Sequence, residues 1–176
     1  MEKIEDSGDI ARKSRPMLRP DRFARRLEAI ALGELAEQGV RGLILDLDNT
    51  VVGYGRDRLM PGDELWIEQA KKAGFRMVLL SNNTTGRCRR IGAALGIDAL
   101  DCALKPSPHG FHRALRVLGT ARTETVVIGD QLFTDVLGAR LAGVRAILVD
   151  PIEPHDFVGT RVLRALERLV MPNGRP

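Results

Sequence analysis

The sequence of 176 residues predicts a three-layer α/β/α fold, in which helices cover both faces of a doubly wound, mainly five-stranded parallel sheet. Five short apolar segments alternate with segments of helical periodicity, which is typical of parallel strands joined by right-handed crossovers. Polar residues stand where three of these strands end, namely Asp46 with Asp48, Ser81 with Asn82, and Asp130. Parallel strands end at one edge of a sheet, so we expect these side chains to share a crevice.

The first predicted unit is a helix that begins near Asp21 and is followed by a strand over Leu43–Leu45. Apolar residues recur in the helix at near-helical spacing, and Gly39 closes it before the strand. These apolar residues are Phe23, Leu27, Ile30 and Leu35. Residues 1–20 lack periodicity and are expected to form a flexible basic segment, which leaves residues 21–171 as a single domain.

The later elements continue the alternation of helices and strands. Pro61 and Gly62 mark a loop before a predicted helix over 63–73, which Gly74 terminates. The remaining sequence predicts a strand over 75–83, a helix over 84–96, a short strand over 98–106, a helix over 108–118, a strand over 125–130, a helix over 133–142, a strand over 144–150 and a last helix over 158–170.

The composition is that of a soluble globular protein, with 44% hydrophobic and 28% charged residues. No apolar run approaches the roughly 20 residues that span a bilayer, and the first residues are too charged for a secretory signal. We therefore expect a cytoplasmic protein. Cys88 and Cys102 lack metal-binding spacing and are expected to be reduced thiols.

The net charge is +4, and the basic residues concentrate near the beginning of the chain. The bases between residues 12 and 26 are Arg12, Lys13, Arg15, Arg19, Arg22, Arg25 and Arg26, against one acid, Asp21. A basic helix here would allow peripheral contact with the inner, anionic face of a membrane, and the alternative is the solvated face of a docked helix. Arg161, Arg164 and Arg168 repeat a basic face in the last predicted helix, with the same two alternatives.

Asp46 and Asp48 follow an apolar strand and are separated by one residue. Strand side chains alternate, so both carboxylates are expected to face the same way. Like charges this close raise one another's pKa unless a cation lies between them. The pair therefore indicates a metal, a shared proton or both.

Four motifs occur in the order "DLDNT", "SNN", "KP" and "GDQLFTD". Each of them alone has an ordinary structural explanation, such as a helix cap for "SNN". Together and in this order they resemble the four motifs of the haloacid dehalogenase (HAD) superfamily of aspartate-nucleophile phosphatases. The stretches "LRPDRFARRLEAI" and "GVRGLILDLDNTVV" are similar to the YqeG-like branch of subclass IIIA, which is related to phosphatidylglycerophosphate phosphatases. The resemblance covers about residues 17–170 and implies a HAD-like Rossmannoid domain.

The resemblance implies a Mg²⁺-dependent phosphatase that hydrolyses a phosphate monoester through an aspartyl-phosphate. Asp46 would be the nucleophile. Asp48 would protonate the leaving oxygen and then activate water, which requires a raised pKa. Asp46, the Asp48 carbonyl and Asp130 would hold the Mg²⁺ ion, because this ion prefers a few hard oxygen ligands.

The other motif residues would bind the phosphoryl group or support the site. Ser81 and Asn82 would hydrogen-bond the phosphoryl group, the latter through its backbone N–H, and Lys105 would neutralise it and position Asp46. Thr50 would settle the loop after the first motif, and its presence agrees with a phosphatase. Asp135 would orient either Lys105 or a metal-bound water.

The spacing of the motifs leaves no room for a cap domain, because only residues 51–80 and 83–104 separate the first three motifs. An uncovered crevice would admit a bulky or membrane-presented phosphorylated substrate, or a second copy of the chain would supply a lid. By resemblance, phosphatidylglycerophosphate is the leading substrate, and a phosphosugar or a nucleotide is an alternative. A binding protein with vestigial catalysis, acting on ribosomes or RNA, is a second hypothesis. The intact acidic residues argue against it, and 4% aromatic residues disfavour nucleic-acid binding.

Overall fold

A computed structural model describes residues 17–153 and shows a six-stranded sheet in which all strands are parallel, with strand order β1-β6-β5-β2-β3-β4. The strands are β1 Arg22–Ala24, β2 Gly42–Asp46, β3 Arg76–Leu80, β4 Asp98–Leu100, β5 Thr125–Gly129 and β6 Arg145–Val149. The helices are α1 Leu32–Glu37, α2 Pro61–Lys72, α3 Arg87–Leu95, α4 Pro108–Leu118 and α5 Leu137–Leu141. Turns of 3₁₀ helix occupy Leu27–Ala29 and Arg122–Glu124, and a π-helical turn, Leu132–Val136, leads into α5.

Two hydrophobic cores lie on the two faces of this sheet, which confirms the predicted three-layer fold. Alternate residues of β2 belong to different cores: Leu43 and Leu45 pack with Trp66 of α2, whereas Ile44 packs with Phe111 of α4. Strands buried on both faces are apolar throughout, and β2 is buried along its whole length. The carboxyl end of β2 is thereby fixed at the centre of the sheet.

The helix predicted to begin near Asp21 begins instead at Leu32, as α1, and the sheet has one strand more than expected. Residues Arg22–Ala24 form the edge strand β1, which pairs in parallel with Ile147–Val149 of β6. Its neighbour Asp21 donates its backbone N–H to the carbonyl of Ala146 at 2.8 Å. The open edge of β6 offers hydrogen bonds that a surface helix would leave unused, and three residues are too few to show strand periodicity.

Residues 17–31 form no α-helix, and two of their basic side chains contact acidic side chains of the same chain. Arg22 pairs with Glu34 at 2.7 Å, and Arg26 pairs with the buried Asp63 at the start of α2. The predicted amphipathic basic helix is therefore absent between residues 17 and 31. Residues 1–16 and the helix predicted over 158–170 lie outside the described residues.

The connections above the sheet contain no inserted domain in the described part of the chain. Residues 47–60 join β2 to α2, and residues 81–86 join β3 to α3. Val52 and Leu59 pair across the first of these connections, which folds back on itself as a short antiparallel loop. Within residues 17–153, no helix is long and apolar enough to cross a membrane.

Candidate active site

Three buried carboxyl groups meet at the carboxyl ends of β2 and β5. Asp46 is the last residue of β2, Asp130 follows β5, and Asp135 lies on the π-helical turn. One carboxylate oxygen from each of the three lies within 4.8 Å of the others, and all three residues are at most 7% exposed. Asp46 and Asp130 therefore lie close together, as their positions at strand ends predict, and Asp135 joins them.

Lys105 bridges two members of this acidic cluster. Its Nζ donates to Oδ1 of Asp135 at 2.7 Å and also to Oδ1 of Asp46. Burial alone lowers the pKa of Lys105, but the attraction of Asp135 and Asp46 outweighs burial and raises the pKa above its ordinary value. Lys105 is therefore a permanent ammonium group inside the site, and Asp135 is its partner, one of the two roles predicted for that residue.

Asp46 lies where its ionised form is disfavoured. Burial raises its pKa to about 7, Lys105 opposes this rise, and the negative charge of Asp135 adds to it. Its Oδ2 is buried and receives no hydrogen bond from the described residues. Lys105 brings a single positive charge to a cluster of three carboxyl groups. Hard oxygen ligands with excess negative charge suit a divalent cation such as Mg²⁺, so the residues fit the predicted metal.

Asn82 positions Lys105 instead of presenting its side chain to a phosphate. Its Oδ1 accepts the backbone N–H of Lys105 at 2.7 Å, and its Nδ2 donates to the Lys105 carbonyl at 3.1 Å. The contact with phosphate predicted for Asn82 involves its backbone N–H, and that contact stays a prediction. Both contacts fix the backbone from which the Lys105 side chain reaches Asp46.

Ser81 lies at the end of β3, as the sequence predicts. It is 3% exposed, and its Oγ accepts the backbone N–H of Asn83 at 3.1 Å. The hydroxyl can still donate its own proton to another oxygen. Its binding of a phosphoryl group stays a prediction.

The Asp48 side chain is not one of the three clustered carboxyl groups, but it lies near enough to Asp46 for its charge to raise the pKa of Asp46. Strand β2 ends at Asp46, and Asn49 has a left-handed backbone with φ of 64°. Leu47 packs in the same core as Leu43 and Leu45, so the alternation of β2 continues past its last residue. The Oδ1 of Asp48 accepts from Nη1 of Arg87, while Asp46 contacts Lys105.

Thr50 and Asn49 lie in the loop after the first motif. Thr50 is 1% exposed, and its hydroxyl has no hydrogen-bond partner among the described residues, so the prediction that it settles this loop by hydrogen bonding is wrong. Asn49 accepts the backbone N–H of Glu153 on its side chain at 3.3 Å and that of Ile152 on its carbonyl at 3.0 Å. Asn49 thereby holds the loop against the segment that follows β6.

Sequence reasoning missed Arg87 and Gly129. Arg87 is the first residue of α3, where a positive charge opposes the helix dipole, and this conflict was an available sign of a carboxylate partner. Gly129 is the last residue of β5, and a Cβ on it would overlap the carboxyl group of Asp135. Glycine at this position therefore makes room for the Lys105–Asp135 ion pair.

Comparison with known proteins agrees with this geometry. A family model described as haloacid dehalogenase-like hydrolase matches residues 4–143. The chain is 38% identical over 152 residues to "Probable phosphatase YqeG" of Bacillus subtilis (strain 168), an alignment that covers 86% of this chain and 88% of that protein. It is 23% identical to "Phosphatidylglycerophosphate phosphatase 1, chloroplastic/mitochondrial" of Arabidopsis thaliana over 95% of this chain and 51% of that protein.

Solved structures support the fold. A crystal structure of an uncharacterized protein from Listeria monocytogenes serotype 4b superposes with a TM-score of 0.53 at 22% identity. The superposition covers 75% of this chain and 99% of the other.

Proposed function

The chain belongs to the haloacid dehalogenase-like hydrolases, and from this premise we propose that it is a phosphatase that hydrolyses a phosphate monoester through a phosphorylated Asp46. The observation that carries the proposal is the buried contact of Asp46 with Lys105 beside Asp130 and Asp135. A carboxylate at this position can attack phosphorus, and a fixed ammonium beside it can stabilise the charge that develops on the transferred group.

The proposed reaction has two steps. A carboxylate oxygen of Asp46 attacks phosphorus, the bond from phosphorus to the ester oxygen breaks, and Asp48 gives that oxygen a proton, so that the alcohol leaves. Asp48, now ionised, then takes a proton from water as the water oxygen attacks the phosphorus. The bond from phosphorus to Asp46 breaks, inorganic phosphate leaves, and Asp46 is ready for another cycle.

Other residues hold the reacting groups. Lys105 offsets the negative charge of Asp46 and of the phosphoryl group, and Asp135 and Asn82 fix Lys105 in that position. We assign hydrogen bonding to the phosphoryl group to the Ser81 hydroxyl. A Mg²⁺ ion would be held by Asp46, Asp130 and the Asp48 carbonyl, and when bound it would neutralise the charge shared by the nucleophile and the phosphate.

Mg²⁺ is expected to bind more tightly as the pH rises from about 5.5 to about 8, because a cation requires the carboxylate form of its ligands. The pKa of Asp46 is raised to about 7, so metal binding must displace a proton over much of this range. Isothermal titration calorimetry in two buffers of different ionisation enthalpy measures both the affinity and the proton release. Asp130→Asn should weaken the binding strongly, whereas substitution of the exposed Asp98 by Asn should not. An affinity independent of pH, without proton release, would contradict the assignment of Asp46.

The substrate class that we propose is a phosphate monoester on a large or membrane-presented group, with phosphatidylglycerophosphate as the first candidate. The resemblance to the Arabidopsis phosphatase and the absence of a cap among the described residues support this choice. Apolar side chains also lie exposed on loops that follow the strand ends. Tyr54 is 46% exposed, and Leu104, the residue before Lys105, is 73% exposed.

The proposal is tested by phosphate release from p-nitrophenyl phosphate, phosphatidylglycerophosphate in anionic liposomes, phosphosugars and nucleotides, with Mg²⁺ or with EDTA. We expect Mg²⁺-dependent release, with the lipid in the liposomes giving the largest kcat/KM. Preference for a phosphosugar or a nucleotide would keep the phosphatase and overturn the lipid assignment. No release from any substrate would overturn the phosphatase and favour a binding protein of the same fold.

A further inference from the structure

The guanidinium group of Arg87 lies at the base of the loop that follows Asp48. Its Nη1 donates to Oδ1 of Asp48, and its Nε donates to Oδ1 of Asp57 at 2.9 Å. Its Nη2 donates to the carbonyl of Arg56 and, at 3.4 Å, to that of Gly53. All four acceptors belong to the segment 48–57, so one side chain of α3 holds this whole loop.

The Arg87 side chain is buried, and its contacts fix its orientation. It is 7% exposed although it is the first residue of a helix. Burial alone lowers the pKa of Arg87, but the carboxylates of Asp48 and Asp57 outweigh burial and raise it. An arginine with several fixed acceptors has a defined orientation, because its donors lie in one plane.

We propose that Arg87 is a positioning residue that orients the Asp48 carboxyl group towards the leaving oxygen of the substrate and couples it to the loop of residues 53–57. This inference rests on the proposed phosphatase and on Asp48 as its acid and base. Arg87 engages Oδ1 of Asp48 and leaves the second oxygen for proton transfer. Lys105 does not orient the Asp48 carboxyl group, because its Nζ contacts Asp46 and Asp135.

The proposal separates leaving groups that need a proton from those that do not. An alkoxide is a strong base and leaves slowly unless an acid protonates it, whereas p-nitrophenolate leaves without that help. If Arg87 positions the acid, its loss must slow alkyl phosphates much more than p-nitrophenyl phosphate. If Arg87 only supports the loop or the fold, both substrates must slow by the same factor.

The experiment compares kcat/KM, which includes the departure of the alcohol but not the hydrolysis of phosphorylated Asp46, for glycerol 1-phosphate and for p-nitrophenyl phosphate in the wild type and in Arg87→Gln. We expect a loss of about 10- to 100-fold for the alkyl phosphate and less than about threefold for the aryl phosphate, within the usual contribution of general acid catalysis. Mg²⁺ should still bind to Arg87→Gln, because the variant keeps Asp46 and Asp130 and removes no ligand atom. Equal losses for both substrates would overturn the proposal.

Two further variants and a control keep the test decisive. Arg87→Lys keeps the charge but cannot reach Asp48 and the loop carbonyls together, so it should not restore the alkyl phosphate rate. Asp57→Asn weakens the Nε contact at a side chain that is 63% exposed, and it should show a smaller loss in the same direction. Asp57→Asn also serves if Arg87→Gln does not fold. If Asp57→Asn then lowers the rates for the two substrates by the same factor, or lowers neither, the proposed coupling to the loop is overturned. Arg90→Gln, at an exposed position of α3, should match the wild type.

The outcome for Arg87 is distinguishable from failure of the proposed function. A wild-type protein that releases no phosphate from these two esters or from any substrate of the panel above refutes the phosphatase itself. A wild type that hydrolyses both esters, with an unchanged ratio of the two rates in Arg87→Gln, refutes only the positioning of Asp48.

Discussion

Asp46→Asn is expected to reduce kcat by about 10⁴-fold or more, because the amide cannot form the phosphorylated intermediate. The same change should leave the fold intact. Asn has nearly the shape of Asp, and Lys105 keeps its contact with Asp135. The variant also removes a carboxyl group whose ionised form is disfavoured by burial, since the pKa of Asp46 is raised to about 7.

The measurement is phosphate release under saturating substrate, together with acid quenching of the enzyme after mixing with a substrate labelled in its phosphoryl group. Wild-type protein should retain the label covalently, and Asp46→Asn should not. Asp98→Asn, a matched change at an exposed aspartate of β4, should retain both the label and the activity. Labelling of Asp46→Asn at the wild-type level would place the nucleophile on another residue.

Lys105→Met is expected to affect both activity and stability. The variant leaves Asp46 and Asp135 buried without their shared cation, and breaking a buried ion pair in this way costs about 3–5 kcal/mol of unfolding free energy. Loss of the ammonium beside the phosphoryl group should lower kcat by about 10²- to 10³-fold. Thermal and urea unfolding of the metal-free protein measure the first effect, and Lys72→Met at an exposed position of α2 is the matched control.

The stability loss in Lys105→Met should depend on pH. A carboxyl group whose pKa is higher in the folded than in the unfolded state binds its proton preferentially when folded, so it destabilises the fold as the pH rises through that range. Asp46 has this property in the wild type, between its ordinary value of 3.8 and about 7. Because Lys105 opposes the rise in the pKa of Asp46, its removal should raise that pKa further. The loss of unfolding free energy in Lys105→Met should therefore be smaller at about pH 5 than at about pH 8.

A double variant separates charge from packing. Adding Asp46→Asn to Lys105→Met removes one of the two uncompensated carboxylates, so the double variant should be more stable than Lys105→Met alone. If the double variant is instead less stable by the sum of the two single effects, the buried ion pair does not account for the loss.

The sequence predicted the central strands of the sheet and the edge at which the site forms. Parallel strands buried on both faces must be continuously apolar, and β2, β3, β5 and β6 all carry this signal. Asp46 ends such a strand, and Ser81 and Asp130 follow such strands directly. Their convergence needed only the rule that parallel strands end together, so it could be read from residue order.

The edge strand β1 and the partners of individual side chains could not be predicted in this way. A three-residue strand has no period to detect, and Arg22–Ala24 pairs with β6 because that strand has an open edge. The spacing of Phe23, Leu27, Ile30 and Leu35 fits a helix equally well. Which structure forms depends on a neighbour more than 100 residues later in the chain.

The sequence by itself determined the layers, the central strands and the carboxylates placed at one edge, because these follow from local apolar patterns and from residue order. Only the tertiary structure decided that Asp46 and Asp48 contact different cations, Lys105 and Arg87. The two carboxylates stand near the end of β2, and neither cation is close to them in the sequence. Arg87 of α3 and Lys105 of the loop before α4 contact these carboxylates only because the chain folds. Such contacts leave no periodic pattern in the sequence.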